Sequence, residues 1–237
     1  MDIRAISPDE LVYWQWEAFS LNATIVFTWA VMALLVIGSW AITRRLTSDV
    51  KISRWQNFLE IIVKFTRNEI REASHQEPDI YLTFIGSLFL FIGTSNFLMF
   101  VPGFISPTAS LSTTAALAIC VFIAVPIYGI RKRGFFGYLK LYVQPSFIML
   151  PFNIMGELSR TLALAVRLFG NIMSGTKIAA ILLLIVPFVF PALMQLLGLL
   201  TGMIQAYIFG ILAIVYIASA TRAHSQDQKQ MNRHETG

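Results

Sequence analysis

The chain has 237 residues, of which 56% are hydrophobic and only 13% charged, with a mean hydropathy of +0.67. A soluble domain carries roughly 25% charged residues, so the composition excludes a soluble globular protein and points to an all-α protein that crosses a membrane several times. The formal net charge of +5 would suggest a nucleic-acid ligand in a soluble chain, but here the basic residues flank apolar spans, where membrane orientation requires them, and no nucleic-acid partner follows.

In chain order, residues 1–20 form an acidic N-terminus (Asp2, Asp9, Glu10, Glu17), unlike the basic start of a signal peptide. Residues 21–43 form a first transmembrane helix followed by Arg44, Arg45, Lys51 and Arg54. By the positive-inside rule its C-terminal end is cytoplasmic and the N-terminus lies outside. Residues 53–74 read as an amphipathic helix at the cytoplasmic interface, with Leu59, Ile62, Phe65 and Ile70 opposed by Glu60, Lys64, Arg67 and Arg71. Residues 80–130 carry no charge and are broken at Pro102, Gly103 and Pro107 into two spans, about 80–101 and 113–130. Arg131, Lys132 and Arg133 then return the chain to the cytoplasm. The one cysteine, Cys120, falls inside an apolar span and reads as a buried structural thiol.

Residues 146–221 exceed what two upright spans need. Divided near Pro187 and Pro191, they predict two long, strongly tilted helices forming a hairpin. That makes about five membrane segments, ending in a disordered polar tail over 222–237 on the cytoplasmic side. Three His and one Cys offer no metal-ligand cluster, and no Walker-type glycine loop is present. No cofactor or metal is expected.

The informative residue is Arg167, in the middle of the first long helix. Its guanidinium cannot shed its proton, and a charge at the bilayer centre costs about 2.5–3.5 kcal/mol on insertion scales. No acidic residue lies one turn away. At 100° per residue Asn153, Glu157, Arg160, Arg167, Asn171 and Ser174 fall on one stripe, with Glu157 and Arg160 spaced to pair locally. On the second long helix Gln195, Gly198, Gly202, Gln205 and Phe209 align. Gln205 is the natural neighbour for Arg167, because an amide orients a guanidinium without neutralising it. Such an arginine suits a carboxylate that arrives from another molecule, whose charged form it favours. It also blocks a direct cation leak between two water-filled half-channels.

The run Val166-Arg167-Leu168-Phe169-Gly170-Asn171, the approach Glu157-Leu158-Ser159-Arg160-Thr161-Leu162, the segment Ile204-Gln205-Ala206-Tyr207-Ile208-Phe209 and the pieces around Asn96 and Pro107 resemble subunit a of F-type ATP synthases. The resemblance covers about residues 55–219. It implies a non-catalytic stator subunit, multi-pass in a bacterial plasma (inner) membrane, partnered by a ring of c subunits bearing a membrane carboxylate, by b-type peripheral stalk subunits and by the rest of the complex. It implies that Arg167 meets each ring carboxylate, that Gln205 and Asn171 neighbour it, and that Asn96 and Ser112 line the outer half-channel. Many members carry an acid shortly after the Gly-Asn pair and a His or Glu on the last helix; here Thr176 and Gly198 stand at those places, beside Lys177. That departure leaves both proton and sodium open as the ion and leans toward the divergent N-type ATPase branch. The alternatives of another class are a stand-alone secondary transporter holding an anionic substrate on Arg167, disfavoured by the lack of inverted repeats, and a purely structural anchor.

Overall fold

The computed structural model of the chain describes residues 12–16, 19–44, 54–101, 104–143, 147–185 and 190–235. Two short strands, β1 (Val12–Trp16) and β2 (Phe19–Asn22), precede seven helices: α1 (Ala23–Thr43), α2 (Arg54–Ser74), α3 (Asp79–Leu98), α4 (Leu111–Arg133), α5 (Phe135–Val143), α6 (Met149–Ile185) and α7 (Phe190–Glu235). A 3-10 turn, Pro107–Ala109, joins α3 to α4.

The long helices lie where apolar runs of membrane length predict them, because in hydrocarbon a backbone satisfies its polar groups within its own helix. Four of the described helical stretches, Ala23–Thr43, Asp79–Leu98, Leu111–Lys132 and Leu193–Thr221, are long and apolar enough to cross a membrane. Pro191 falls in the first turn of α7, where its missing N–H removes no helical hydrogen bond. Pro102, Gly103 and Pro187, expected to break the apolar stretches, lie outside the described residues.

Four features depart from the sequence expectations. The N-terminal segment holds an antiparallel hairpin, with Trp16 opposite Phe19 and an irregularity between Val12 and Trp14. The stretch after Arg133 forms α5, separated from α4 only by Gly134 at φ 76°, a backbone region that glycine enters without steric penalty. The tail expected to be disordered instead prolongs α7 to Glu235. No Gly or Pro follows Gly210 until Gly237, so a helix already nucleated in the apolar span propagates on through good helix formers. Cys120, expected to be buried, is exposed on α4, because the face of that helix turned inward carries Ala118, Val121, Ala124 and Val125 instead.

The core is the seam where α3, α4, α6 and α7 meet. Ile85, Leu88 and Ile92 of α3, Leu164, Leu168 and Ile172 of α6, and Phe209, Ile214 and Ile217 of α7 are buried together there. Helix α2 packs on α3 and α7 through Thr66 and Ile70, while α1 stands at the margin, docked by the Phe27 ring edge-on to Phe104 at 5.0 Å. Lipid tails are as apolar as leucine, so such helices associate through close packing and hydrogen bonds rather than hydrophobic exclusion.

Polar ties supply that specificity at both ends of the seam. At one end Asn96 of α3 donates its Nδ2 hydrogen to the carbonyl of Gly202 on α7 at 2.8 Å. At the other, Gln76, in the α2–α3 turn, donates through Nε2 to Thr221 Oγ1 at 3.0 Å, while its Oε1 accepts from Tyr81 at 2.9 Å and from Lys132 at 2.5 Å. One amide thus gathers α2, α3, α4 and α7. Gly202 permits the first tie: a Cβ there would stand 3.0 Å from Asn96 Cβ and Cγ. Gly202→Ala is expected to destabilise the purified complex by about 1–3 kcal/mol, read as a lower thermal midpoint. Gly93→Ala, where nothing lies within 4 Å of the new methyl group, is expected to be neutral or stabilising.

Candidate functional site

Helices α6 and α7 run antiparallel, and two contacts set their register. Asn171 donates its Nδ2 hydrogen to the carbonyl of Thr201 at 3.3 Å. The Arg160 guanidinium lies 5.7 Å over the ring of Tyr216, turned toward α7 and a cation–π contact. Arg167 sits one turn from Asn171 toward Arg160, and Gln205 one turn from Thr201 toward Tyr216, so the two stand at the same level of the helix pair.

The inward face of α6 is Leu164, Ala165, Leu168 and Ile172. Leu164 and Leu168, 2% and 0% exposed, are four residues apart on one side of the helix and fix its rotation. Arg167 is thereby turned to the exposed edge of the seam. Among the described residues no carboxylate pairs with it; the ion pairs Lys64–Glu60 and Arg67–Asp79 lie on α2 and at the start of α3. Gln205 is buried, 5% exposed, and its Nε2 has no hydrogen-bond partner among the described residues. The expected neighbours are therefore level with each other but not hydrogen-bonded. The guanidinium head is free at the edge, and an unsatisfied amide lies behind it.

A cavity lies on either side of this level, and Arg167 lines neither. The larger, about 440 Å³, is bounded by α4, α6 and α7; Asn153, Glu157, Arg160, Thr161, Tyr216 and Ser219 supply its polar wall. The smaller, about 40 Å³, is walled by Asn96, Asn171, Gln195, Gly198 and Thr201 among apolar residues, and that space suffices for a few waters. Asn96, 2% exposed, also accepts through Oδ1 from Thr108 Oγ1 at 3.1 Å, and Thr108 meets Ser106 at 2.7 Å. Ser112 is exposed at the start of α4, 2.6 Å from Ser110, so it belongs to the rim of this polar cluster rather than to the cavity wall.

Asn153, Glu157 and Arg160, placed on one stripe by the sequence, line the same cavity, since one helix carries all three. The placing of Arg160 over Tyr216 was not legible, because it depends on the register of two helices between residues more than fifty positions apart. The hydrogen bond from Tyr207 of α7 to Glu69 of α2, 2.7 Å long, had no signal beyond Tyr207 standing two places after Gln205. Thr176 spends its hydroxyl on the Met173 carbonyl at 2.9 Å, and around Gly198 nothing lies within 4 Å of the position a Cβ would take.

The chain matches the family model described as ATP synthase A chain over residues 25–218. It is 62% identical over 221 residues to ATP synthase subunit a 1 of Chlorobaculum parvum, covering 93% of this chain and 98% of that one. It is 59% identical over 217 residues to ATP synthase subunit a 2 of Acaryochloris marina, covering 92% and 93%. Against ATP synthase subunit a of Albidiferax ferrireducens the identity is 57% over 229 residues, covering 97% and 99%.

In a Cys120→Ser background, a cysteine placed at Ser219, in the wall of the larger cavity, is expected to react with a water-soluble maleimide in membranes. A cysteine placed at Ala165, in the buried face of α6, is expected to stay unlabelled. Mass spectrometry of the labelled chain checks both.

Proposed function

Because this chain belongs to the ATP synthase A chain family, we propose that it is the stator subunit of a rotary ATP synthase or ATPase, and that it moves protons or sodium ions past Arg167 without catalysing any chemistry of its own. The observation that carries this reading is the position of Arg167. It is exposed at the edge of the α6–α7 seam, has no carboxylate partner among the described residues, and stands between two separate cavities. Family membership removes the motive for the stand-alone transporter alternative.

In this reading a carboxylate on a moving ring of c subunits reaches Arg167 from the side. The guanidinium favours the charged form of that acid, so the ion is released before the carboxylate passes. The cavity walled by Asn96, Asn171 and Gln195 serves as the outer half-channel, with Ser112 at its rim, and the cavity walled by Glu157, Arg160 and Tyr216 as the inner one. Arg167 keeps the two from joining, because a fixed positive charge repels a cation crossing directly. Gln205 orients the guanidinium when the ring is engaged, its buried amide offering an acceptor without a charge.

The basic clusters after α1 and α4 put those ends in the cytoplasm of a bacterial cell, with the N-terminus outside. α2 then lies along the cytoplasmic surface. At 1.5 Å per residue α6 is about 55 Å long, against a hydrocarbon core of about 30 Å, so α6 and α7 cross at a slant as the fourth and fifth membrane segments of the bundle. The exposed apolar side chains of this pair, among them Leu158, Leu162, Val166, Leu200 and Ile204, suit ring helices in contact with them.

Arg167→Ala is expected to abolish ATP-driven ion uptake into vesicles. Arg167→Lys is expected to do the same, because lysine lacks the planar fork and can lose its proton. Normal pumping by either variant would sink the proposal. Gln205→Leu is expected to slow transport without abolishing it, and a wild-type rate would remove Gln205 from the site. Radiosodium uptake that is driven by ATP and persists with an uncoupler identifies sodium as the ion; uptake of protons alone identifies the other.

A further inference from the structure

Away from the seam, α5 presents a surface that ion translocation does not use. Phe135 and Phe136 are 61% and 85% exposed, and Leu139 48%; the two rings meet nearly perpendicular with centroids 5.9 Å apart. On the opposite side Tyr138 is buried, its ring lying so close to Gly129 of α4 that a Cβ there would come within 2.5 Å of it. α5 is therefore pinned by one aromatic ring and turns two others outward.

Basic residues cluster in sequence beside this aromatic surface. Arg131 and Lys132 at the end of α4 are exposed, and the sequence places Arg133 and Lys140 at the same turn and helix. From Ile80 to Gly156 the chain contains no acidic residue at all. Lys132 gives a hydrogen bond to Gln76, whereas Arg131 enters no ion pair among the described residues.

We propose that α5 and the turn before it form a binding site for an anionic phospholipid. Phe and Leu on one face of a helix beside clustered cations are the arrangement by which a chain lies on an anionic membrane surface, its apolar face sunk to the boundary between headgroups and acyl chains. The Phe135–Phe136 pair and Leu139 lie among the upper acyl carbons. The planar fork of Arg131 matches a phosphate oxygen pair, and the neighbouring basic positions add attraction. A protein occupant would have to supply acidic side chains and cover Phe136 at once, whereas one anionic lipid meets both demands through its head and its tails.

The test uses the purified complex, reconstituted with phosphatidylglycerol or phosphatidylcholine carrying a photoactivatable group near the top of the acyl chain, with crosslinked residues mapped by mass spectrometry. Phosphatidylglycerol is expected to label α5 well above phosphatidylcholine, and soluble glycerophosphoglycerol is expected not to compete. Arg131→Gln with Arg133→Gln is expected to lower phosphatidylglycerol labelling of α5 roughly tenfold and to leave phosphatidylcholine labelling unchanged; Phe136→Ser is expected to lower both. Equal labelling of the native complex by the two lipids would overturn the proposal without recourse to any variant. So would competition by the soluble headgroup, a protein crosslink to α5 in place of lipid, or undiminished labelling of the double variant.

Discussion

A charge that cannot be neutralised must be either matched or kept wet, and a bilayer offers neither. The fold around Arg167 is arranged about that constraint. The acids of the neighbouring helix turns are absent, the packed leucines on either side forbid the helix to rotate and bury the guanidinium, and the nearest polar group level with it is an amide. Each of these choices preserves the charge where a fixed carboxylate would have cancelled it. The two cavities that flank its level also stop short of Arg167.

What holds the helices in that arrangement is a small number of directional contacts at matched levels. Without a hydrophobic force between helices in lipid, register has to come from groups that fit in one position only. Asn96 on the Gly202 carbonyl, Asn171 on the Thr201 carbonyl, Arg160 over Tyr216 and Gln76 among Thr221, Tyr81 and Lys132 are spaced along the seam from one end of α7's apolar span to the other. A slip of one turn would break all four together, so the level of Gln205 against Arg167 is set by contacts that touch neither.

The long helices could be read from the chain because hydrocarbon imposes length and apolarity directly on sequence. The arginine stripe was legible for a related reason: all its members share one helix, and 100° per residue suffices to align them. Helix α5 was not, because nine residues with two glycines nearby carry no membrane-length signal, and what shapes the segment is a ring of Tyr138 over Gly129. The hairpin at Val12–Asn22 was missed because the acidic character of that segment dominated its reading. The two cavities and the role of Gln76 depend on which helices become neighbours, information that no single segment contains.

The free edge on which Arg167 stands has a consequence for biogenesis. A newly inserted chain exposes that guanidinium to lipid before any partner has covered it, at a cost of about 2.5–3.5 kcal/mol on insertion scales. In the proposed reading, relief comes when another subunit closes over the edge. A single residue thereby makes the orphan chain the less stable form in its own membrane. The energy that keeps the charge useful in the working machine is also an incentive to assemble it, and a mark by which an unassembled copy differs from an assembled one.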